Sequence, residues 1–156
     1  MHHHNQKHRH NQYYRDYITE KGGESMSFSN NLEAKVLQHF FGGVSQTAPQ
    51  NLYAALYVSD PTEADTGTEV NGAGYARQQI TFGCVCSSGT MSVIANAAVI
   101  TFPQAAGSWG TITHIGIRDA ATGGNLLFYA PLSISKKVES GDRMEFPAGA
   151  ITTSLD

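Results

Sequence analysis

Short alternating segments separated by turn residues fill the chain after Pro49, and this pattern restricts the fold to an all-β core. In LYAALYV, residues 52–58, every second side chain can point to the same face of a sheet, as in a strand with one face inward. The segments between candidate strands are rich in Gly, Pro, Asp and Asn, which favour turns. Further candidate strands lie at 77–85, 91–95, 98–102, 111–118, 126–130, 134–138, 143–146 and 151–155. The sequence therefore predicts a mainly β protein with an antiparallel sandwich or barrel, and of the two we expect a jelly-roll-like β-sandwich.

One short N-terminal α-helix is predicted at about residues 29–41, in the segment SNNLEAKVLQHFFGG. Asn30 is a candidate N-cap, and Glu33 three residues later would complete a capping box. Gly42 and Gly43 favour the end of the helix. The apolar residues of one helix face are Leu32, Val36, Leu37 and Phe40. We expect this face to be buried against the domain itself or against a neighbouring subunit.

Residues 1–25 differ in composition from the rest of the chain, because they are polar and rich in histidine. Three interpretations remain open: an expression tag, a native arm, and a translated leader before a true start at Met26. The leader hypothesis rests on KGGE at residues 21–24, which a purine-rich ribosome-binding sequence can encode. Since no feature of this segment fixes a coordination geometry, its histidines predict no metal site. Residues 26–156 have the size of one domain with a single core, and we expect a single β-sandwich there.

Charge and hydropathy exclude two classes of partner. In residues 26–156 acidic side chains outnumber basic ones, and no basic patch suited to phosphate groups is present, so we expect no nucleic acid partner. No apolar run approaches the roughly 20 residues that span a bilayer. No signal peptide opens the chain either, so we expect no membrane association and synthesis in the cytoplasm.

The two cysteines, Cys84 and Cys86, lie one residue apart in GCVCSS. On a strand this spacing puts both side chains on the same face, and a bond between them would close a small, strained ring. We expect reduced thiols, with an intermolecular disulfide in an extracellular particle as the alternative. The four-ligand spacings typical of zinc sites are missing.

Residues 26–156 offer few groups suited to catalysis, so we predict no catalytic, cofactor-binding or metal-binding residues. The histidines of this region are His39, near the helix end, and His114, in the middle of a strand, and a structural role is favoured for each. GAGYAR at residues 72–77 lacks the third glycine and the helix of a dinucleotide-binding motif. The acidic loop that follows residue 59 does not match an EF-hand, and a solvated loop is the favoured interpretation.

Two aromatic residues at turns, Tyr75 and Trp109, have two interpretations. Their residue types are frequent at protein interfaces, but they would equally well close the ends of the sandwich core. With three residues of the apolar helix face they define the predicted interaction surface, which consists of Leu32, Val36, Phe40, Tyr75 and Trp109.

The order of the segments in residues 26–156 is a further feature. A short helix, NNLEAKVLQHFFGG, precedes the strand LYAALYVSDPT and the segment GTEVNGAGYARQ. ITFPQAAGSWGTITHIGIRDAATGGNLLFYAPL and KKVESGDRMEFPAGAIT follow. This order resembles a family of small bacteriophage virion structural proteins, commonly described as tail fibre or minor virion proteins. The resemblance includes none of residues 1–25, which favours the start at Met26.

The resemblance implies a virion component without catalytic residues or cofactors. We expect a non-enzymatic structural subunit that builds or decorates the particle as tail fibre, collar or capsid decoration. Its partners would be other virion proteins and further copies of itself, with a trimer favoured. The alternative is a carbohydrate-binding module for the host surface, with Tyr75, Tyr129 and Trp109 lining a shallow site.

Overall fold

Most strands of the computed structural model are short and are separated by turns, as the sequence predicts. The structure describes residues 27–89 and 91–155, so the interpretations of residues 1–25 and of a start at Met26 lie outside the described residues. The elements in chain order are β1 (Ser27–Phe28), α1 (Asn30–Phe40), β2 (Leu52–Tyr57), β3 (Gln78–Ile80), β4 (Cys86–Ser88), β5 (Met91–Ala95), β6 (Ile100–Thr101), β7 (Gly110–Arg118), β8 (Leu126–Val138), β9 (Glu145–Phe146) and β10 (Thr152–Leu155).

All described strand pairs are antiparallel and fall into three sheets. The largest sheet has the strand order β1-β8-β7-β2-β3, a second has the order β10-β5-β4, and the third is the pair β6-β9. The predicted fold class is confirmed: the protein is mainly β, antiparallel, and carries one short helix in the described residues.

The main hydrophobic core lies on one face of the five-stranded sheet, in a sandwich-like arrangement with the β6-β9 pair and its neighbouring segments. Phe102 and Phe146 meet there with ring centroids 6.2 Å apart. Further members of the same core come from β2, β3, β7 and β8, and include Leu56, Ile80, Ile112, Ile115, Ile117 and Val138. The inward residues of several separate strands thus share one apolar interior, as the period-two pattern predicts.

The prediction of two separate strands at 126–130 and 134–138 is wrong, because β8 runs without a break from Leu126 to Val138. Pro131 lies inside it, opposite His114 of β7. Since proline has no N–H group, it interrupts the hydrogen-bond ladder without ending the extended conformation. The register between β7 and β8 shifts between Ile112 and His114. In the extra length of β8, Ile134 is 81% exposed.

The segment predicted as one strand at 77–85 also differs, because β3 ends at Ile80 and β4 begins at Cys86.

β2 is buried on both faces, whereas its alternating pattern predicted one inward face. Ala55 and Tyr57 point away from the main core and form a second apolar cluster with Leu126 and the half-buried Tyr129. Tyr57 is only 1% exposed. Gly116 of β7 lies opposite Ala55 and leaves room for the Tyr57 ring, since a Cβ there would lie 2.8 Å from both Tyr57 Cε2 and Leu126 Cδ1.

Two arginines hold the loops at the ends of β2 and β7 beside this second cluster. Arg118 donates to both carboxylate oxygens of Asp65 at 2.8 Å, to the Tyr57 hydroxyl at 2.8 Å and to the Gly124 carbonyl at 2.8 Å. Arg77 donates to both Glu69 carboxylate oxygens at 2.7 Å and to the Ala120 and Gly123 carbonyls at 2.8 Å. Arg118 is 8% exposed, so water can solvate little of its charge. The hydrogen bonds and the ion pair with Asp65 take the place of that solvation.

We expect Gly116→Ala to lower the free energy of unfolding by about 1–3 kcal/mol, because the added methyl group overpacks the Tyr57 and Leu126 contact. Urea unfolding followed by circular dichroism measures the change. Gly83→Ala is the matched control, since a Cβ at Gly83 would have the Ala95 carbonyl oxygen as its nearest neighbour at 3.7 Å. Equal unfolding midpoints for the two variants would contradict the close packing at Gly116.

Arg118→Met should lower the free energy of unfolding by about 2–3 kcal/mol, because it leaves Asp65, the Tyr57 hydroxyl and the Gly124 carbonyl without their donor. Lys137→Met is the control, since Lys137 pairs with Glu139 at 2.6 Å while its side chain is 70% exposed. Exposed ion pairs contribute little to stability, so this variant should unfold at the wild-type urea concentration. A similar loss in both variants would show that the Arg118 contacts are not specifically stabilising.

Candidate functional site

The N-terminal end of α1 is fixed to the five-stranded sheet through Ser29. Ser29 is the N-cap, in an extended conformation (φ −75°, ψ 154°), and its hydroxyl oxygen accepts a hydrogen bond from the Leu32 N–H at 3.2 Å. The Ser29 hydroxyl donates to the Leu126 carbonyl, and the Ser29 N–H donates to the Leu127 carbonyl at 2.8 Å. Because β1 holds Ser29 extended against β8, the helix begins at Asn30, one residue earlier than a cap at Asn30 would place it.

The predicted capping box is therefore wrong. Asn30 is the first residue of α1 rather than its cap, and its N–H donates to the Glu63 carbonyl at 3.0 Å. The Glu33 N–H donates to the Ser29 carbonyl, as expected one turn into a helix that Ser29 caps. The helix bounds themselves, Asn30–Phe40 with Phe41 as C-cap, agree with the predicted range of about 29–41.

The C-terminal half of α1 and the residues that follow carry an exposed apolar surface, which we call the helix patch. No residue of α1 is buried. The exposed fractions of the patch residues are 36% for Val36, 59% for Leu37, 72% for Phe40, 82% for Phe41 and 48% for Val44. Isolated exposed apolar side chains are common, but a contiguous group with two phenylalanines is typical of an interaction site.

The predicted interaction residues on α1 separate into two groups. Leu32 is half-buried and packs against the main core, so it joins the helix to its own domain. Val36 and Phe40 belong to the helix patch. The prediction did not include Leu37, Phe41 and Val44 in the interaction surface. The apolar run HFFGGV at residues 39–44 is the signal in the sequence that could have identified Phe41 and Val44.

The chain folds back after the helix in a way that adds Val44 to the patch. Gly43 has a φ of +69°, which glycine adopts without strain at a helix C-terminus. The Val44 N–H then donates to the Gln38 carbonyl at 3.0 Å. This hydrogen bond fixes Val44 beside the last turn of α1, so the helix patch continues beyond the helix itself.

Tyr75 and Trp109 pack into the domain, which is the second of the two interpretations that the sequence left open. Trp109 is 5% exposed, and its indole N–H donates to the Ala73 carbonyl at 3.0 Å. The Tyr75 ring stacks on Phe102 at 6.1 Å and meets Trp109 edge-on at 5.5 Å. These contacts turn both rings away from the exposed aromatic surface that carbohydrate binding requires.

The Tyr75 hydroxyl is fully engaged in the interior. It accepts a hydrogen bond from the Leu56 N–H at 2.9 Å and donates one to Glu69 at 2.9 Å. Burial, and then the negative charge of Glu69, raise the pKa of Tyr75 well above its ordinary value. The hydroxyl therefore stays protonated over the physiological range and serves packing.

The remaining candidate groups are dispersed in the structure. His114 Nδ1 lies 2.9 Å from Thr113 Oγ1, and its Nε2 lies 3.8 Å from Asp60. His39 is exposed, accepts from the Gln46 N–H at 3.4 Å and meets the Phe40 ring edge-on. Among residues 27–89 and 91–155, no three His, Cys, Asp or Glu side chains are grouped closely enough to hold a metal ion.

Within the same residues no helix has the length and hydropathy to cross a bilayer.

Comparison with known proteins finds one family model that matches this chain. Residues 27–154 match the family model Gp80, which is described as podophage GP4 fiber I protein gp80. No curated protein matches the chain. The match covers β1, the helix and its patch, and all three sheets, and it agrees with the resemblance to virion proteins drawn from the order of the segments. Because the matched region spans most of its length, the chain belongs to the Gp80 family of podophage fibre proteins.

Proposed function

We propose that this protein is a non-enzymatic structural subunit of a phage fibre that assembles with copies of itself, with a trimer favoured, through the helix patch. The observation that carries the proposal is the exposure of Phe40 and Phe41, at 72% and 82%, on a helix whose other end is anchored to the domain. The family membership supports a role in the virion. The mode of assembly is our inference from the surface.

The size of the helix patch fits an interface shared among several copies. At about 200 Å² for each aromatic side chain, the two phenylalanines alone expose on the order of 300 Å². With Leu37, Val44 and Val36 the patch approaches roughly 500 Å², which is less than the about 800 Å² per partner of a standard two-chain interface. In a trimer each patch would contact two neighbouring helices, so the same side chains would be covered from two directions.

The pattern of the patch also favours helix-to-helix contact. Leu37, Phe40 or Phe41, and Val44 recur at spacings of three and four residues, which is the repeat by which helices pack side by side. The charged residues Glu33 and Lys35 precede the patch, and the segment 36–44 contains no Asp, Glu, Lys or Arg. Two copies therefore meet no like charges when their patches come together.

Within the virion, the sheets would face outward while the helix patch lies at the point of assembly. This arrangement suits a fibre, and it also fits a collar or capsid decoration subunit, so the number of copies per particle distinguishes them. Synthesis in the bacterial host cytoplasm, followed by association with other virion proteins, completes the proposal. Carbohydrate binding at the host surface receives less support, because Trp109 is buried and Tyr75 is partly buried against it.

We expect the double variant Phe40→Ser and Phe41→Ser to convert a homo-oligomer, with the trimer as the favoured state, into a monomer. The substitutions remove the apolar surface that assembly would bury, while Leu32 and Ser29 still hold the helix to its domain. Size-exclusion chromatography with light scattering measures the molar mass of the full chain and of the variant at equal concentration.

Ile134→Ser is the matched control, since Ile134 is 81% exposed but belongs to β8 and not to the helix patch. Its molar mass should equal that of the wild type. A monodisperse monomeric wild type, or an unchanged oligomer in the double variant, would refute assembly through the helix patch. Circular dichroism verifies that each variant is folded.

Quantitative mass spectrometry of purified particles tests the position of the protein in the virion. A small copy number, as a multiple of three, is expected for a trimeric fibre. Hundreds of copies would instead indicate a capsid decoration subunit. Absence of the chain from the particles would contradict the structural role altogether.

A further inference from the structure

The three-stranded sheet β10-β5-β4 ends in an edge strand with unusual composition. β4 pairs with β5 on one side, through Cys86 with Val93 and Ser88 with Met91, and no strand of the described residues pairs with its other side. Val85, directly before β4, is 67% exposed, and Cys84 and Cys86 are both exposed free cysteines. An edge of this kind presents main-chain donors and acceptors, together with two thiols, to an approaching strand.

The β4 edge also lacks the charged side chains and the proline by which many edge strands oppose pairing. Residues 78–117 contain no Asp, Glu, Lys or Arg, and neither does β10. The outer edge of β8 shows the contrast, because beyond its pairing with β1 it carries Pro131, Lys136 and Lys137. Proline and lysine on an edge oppose pairing with another chain. The β4 edge, CVCSS, has neither.

The order of residues in this edge is symmetric about Val85. If residues 84–86, of which the first two precede β4, pair antiparallel with residues 84–86 of a second copy so that the two Val85 residues face each other, each Cys84 lies opposite a Cys86. Residues directly opposite in an antiparallel pair have Cα atoms about 4.5 to 5.5 Å apart. This separation lies within the range of about 4.4 to 6.8 Å that a disulfide bridges. One register thus aligns two disulfides.

The same geometry disfavours a bond inside one chain. Residues two apart on a strand have Cα atoms separated by about 6.6 Å, at the far end of the disulfide range, and their Cβ atoms point in the same direction. The opposing cysteines of a second copy would point to the same face from adjacent strands, which is the better arrangement.

We propose that the β4 edge is a homodimeric pairing site at which Cys84 of each copy forms a disulfide with Cys86 of the other. Each bond forms by exchange with a small-molecule disulfide such as oxidised glutathione. One thiolate attacks the glutathione disulfide and releases one glutathione, and the opposing thiolate then attacks the mixed disulfide and releases the second. For each new bond, two cysteine thiols are oxidised and one oxidised glutathione is reduced to two reduced molecules.

This pairing is independent of assembly through the helix patch. A fibre subunit with both surfaces could be held by apolar contacts at α1 and by covalent bonds at β4. Denaturing electrophoresis separates the two effects, because detergent dissolves the contacts of the helix patch and leaves disulfides intact.

The test uses the full chain, incubated with a glutathione redox buffer containing EDTA and analysed on non-reducing denaturing gels and by intact mass. Cys84 and Cys86 are the only cysteines, so every band is assigned without ambiguity. We expect most of the wild type to migrate as a covalent dimer with two disulfides. Cys84→Ser alone and Cys86→Ser alone should each remain monomeric, since each leaves a cysteine opposite a serine.

Mixing the two single variants provides the decisive observation. One chain then supplies Cys86 and the other supplies Cys84, so a covalent heterodimer with one disulfide should form. If either single variant crosslinks to itself as efficiently as the wild type, the register about Val85 is wrong. An intrachain Cys84–Cys86 disulfide, or no crosslink in the wild type, would refute the pairing site.

Val85→Lys tests the strand pairing with both cysteines retained. It places two like charges directly opposite each other at the centre of the pair, so the yield of covalent dimer should fall at least tenfold. Ile134→Lys is the matched control, because it adds the same charge at an exposed apolar position of another strand. Equal crosslinking of the two lysine variants would show that the cysteines meet by random collision.

Discussion

The burial of β2 on both faces is the constraint on which the rest of the structure depends. One face of this strand lies in the main core, and the other carries Ala55 and Tyr57 in the second cluster. A sheet buried on both faces needs a cover for its second face, and here no further sheet or helix of the described residues supplies it. The loops after β2 and β7 lie beside Tyr57 instead, and Arg118 joins them through Asp65 and the Gly124 carbonyl.

This arrangement explains why charged side chains such as Arg118 lie inside the protein. Glu69 joins Arg77 to the Tyr75 hydroxyl, so one acid connects a loop to the edge of the aromatic core. Hydrogen bonding to Glu69 is the largest cause of the raised pKa of Arg77, which keeps the guanidinium charged. The described polar interior thus serves loop position, and the surfaces left for interaction are apolar or uncharged.

The helix patch and the β4 edge take no part in these internal contacts, and the two surfaces differ in what they offer a partner. The helix patch offers side-chain area, with Phe40 and Phe41 largely in solvent beside a helix held by Ser29. The β4 edge offers main-chain hydrogen-bonding groups and thiols, with little apolar area beyond Val85. Apolar area favours association in proportion to the surface removed from water, whereas an edge strand favours partners of matching register. A fibre subunit can use the first for assembly and the second for covalent reinforcement.

The sequence by itself determined the fold class, the helix bounds to within about one residue, and the order of most strands, because hydrophobic period and turn residues are local properties of the chain. It also indicated the family, through the order of segments in residues 26–156. It did not determine whether 126–138 forms one strand or two, since the pairing of Pro131 opposite His114 depends on β7, which is distant in sequence. The N-cap was likewise decided by β8, which holds Ser29 extended. Only the tertiary structure showed that Trp109 is buried and Tyr75 partly buried, while Phe40 and Phe41 are exposed. Burial depends on which segments pack together, and residue type alone does not specify that.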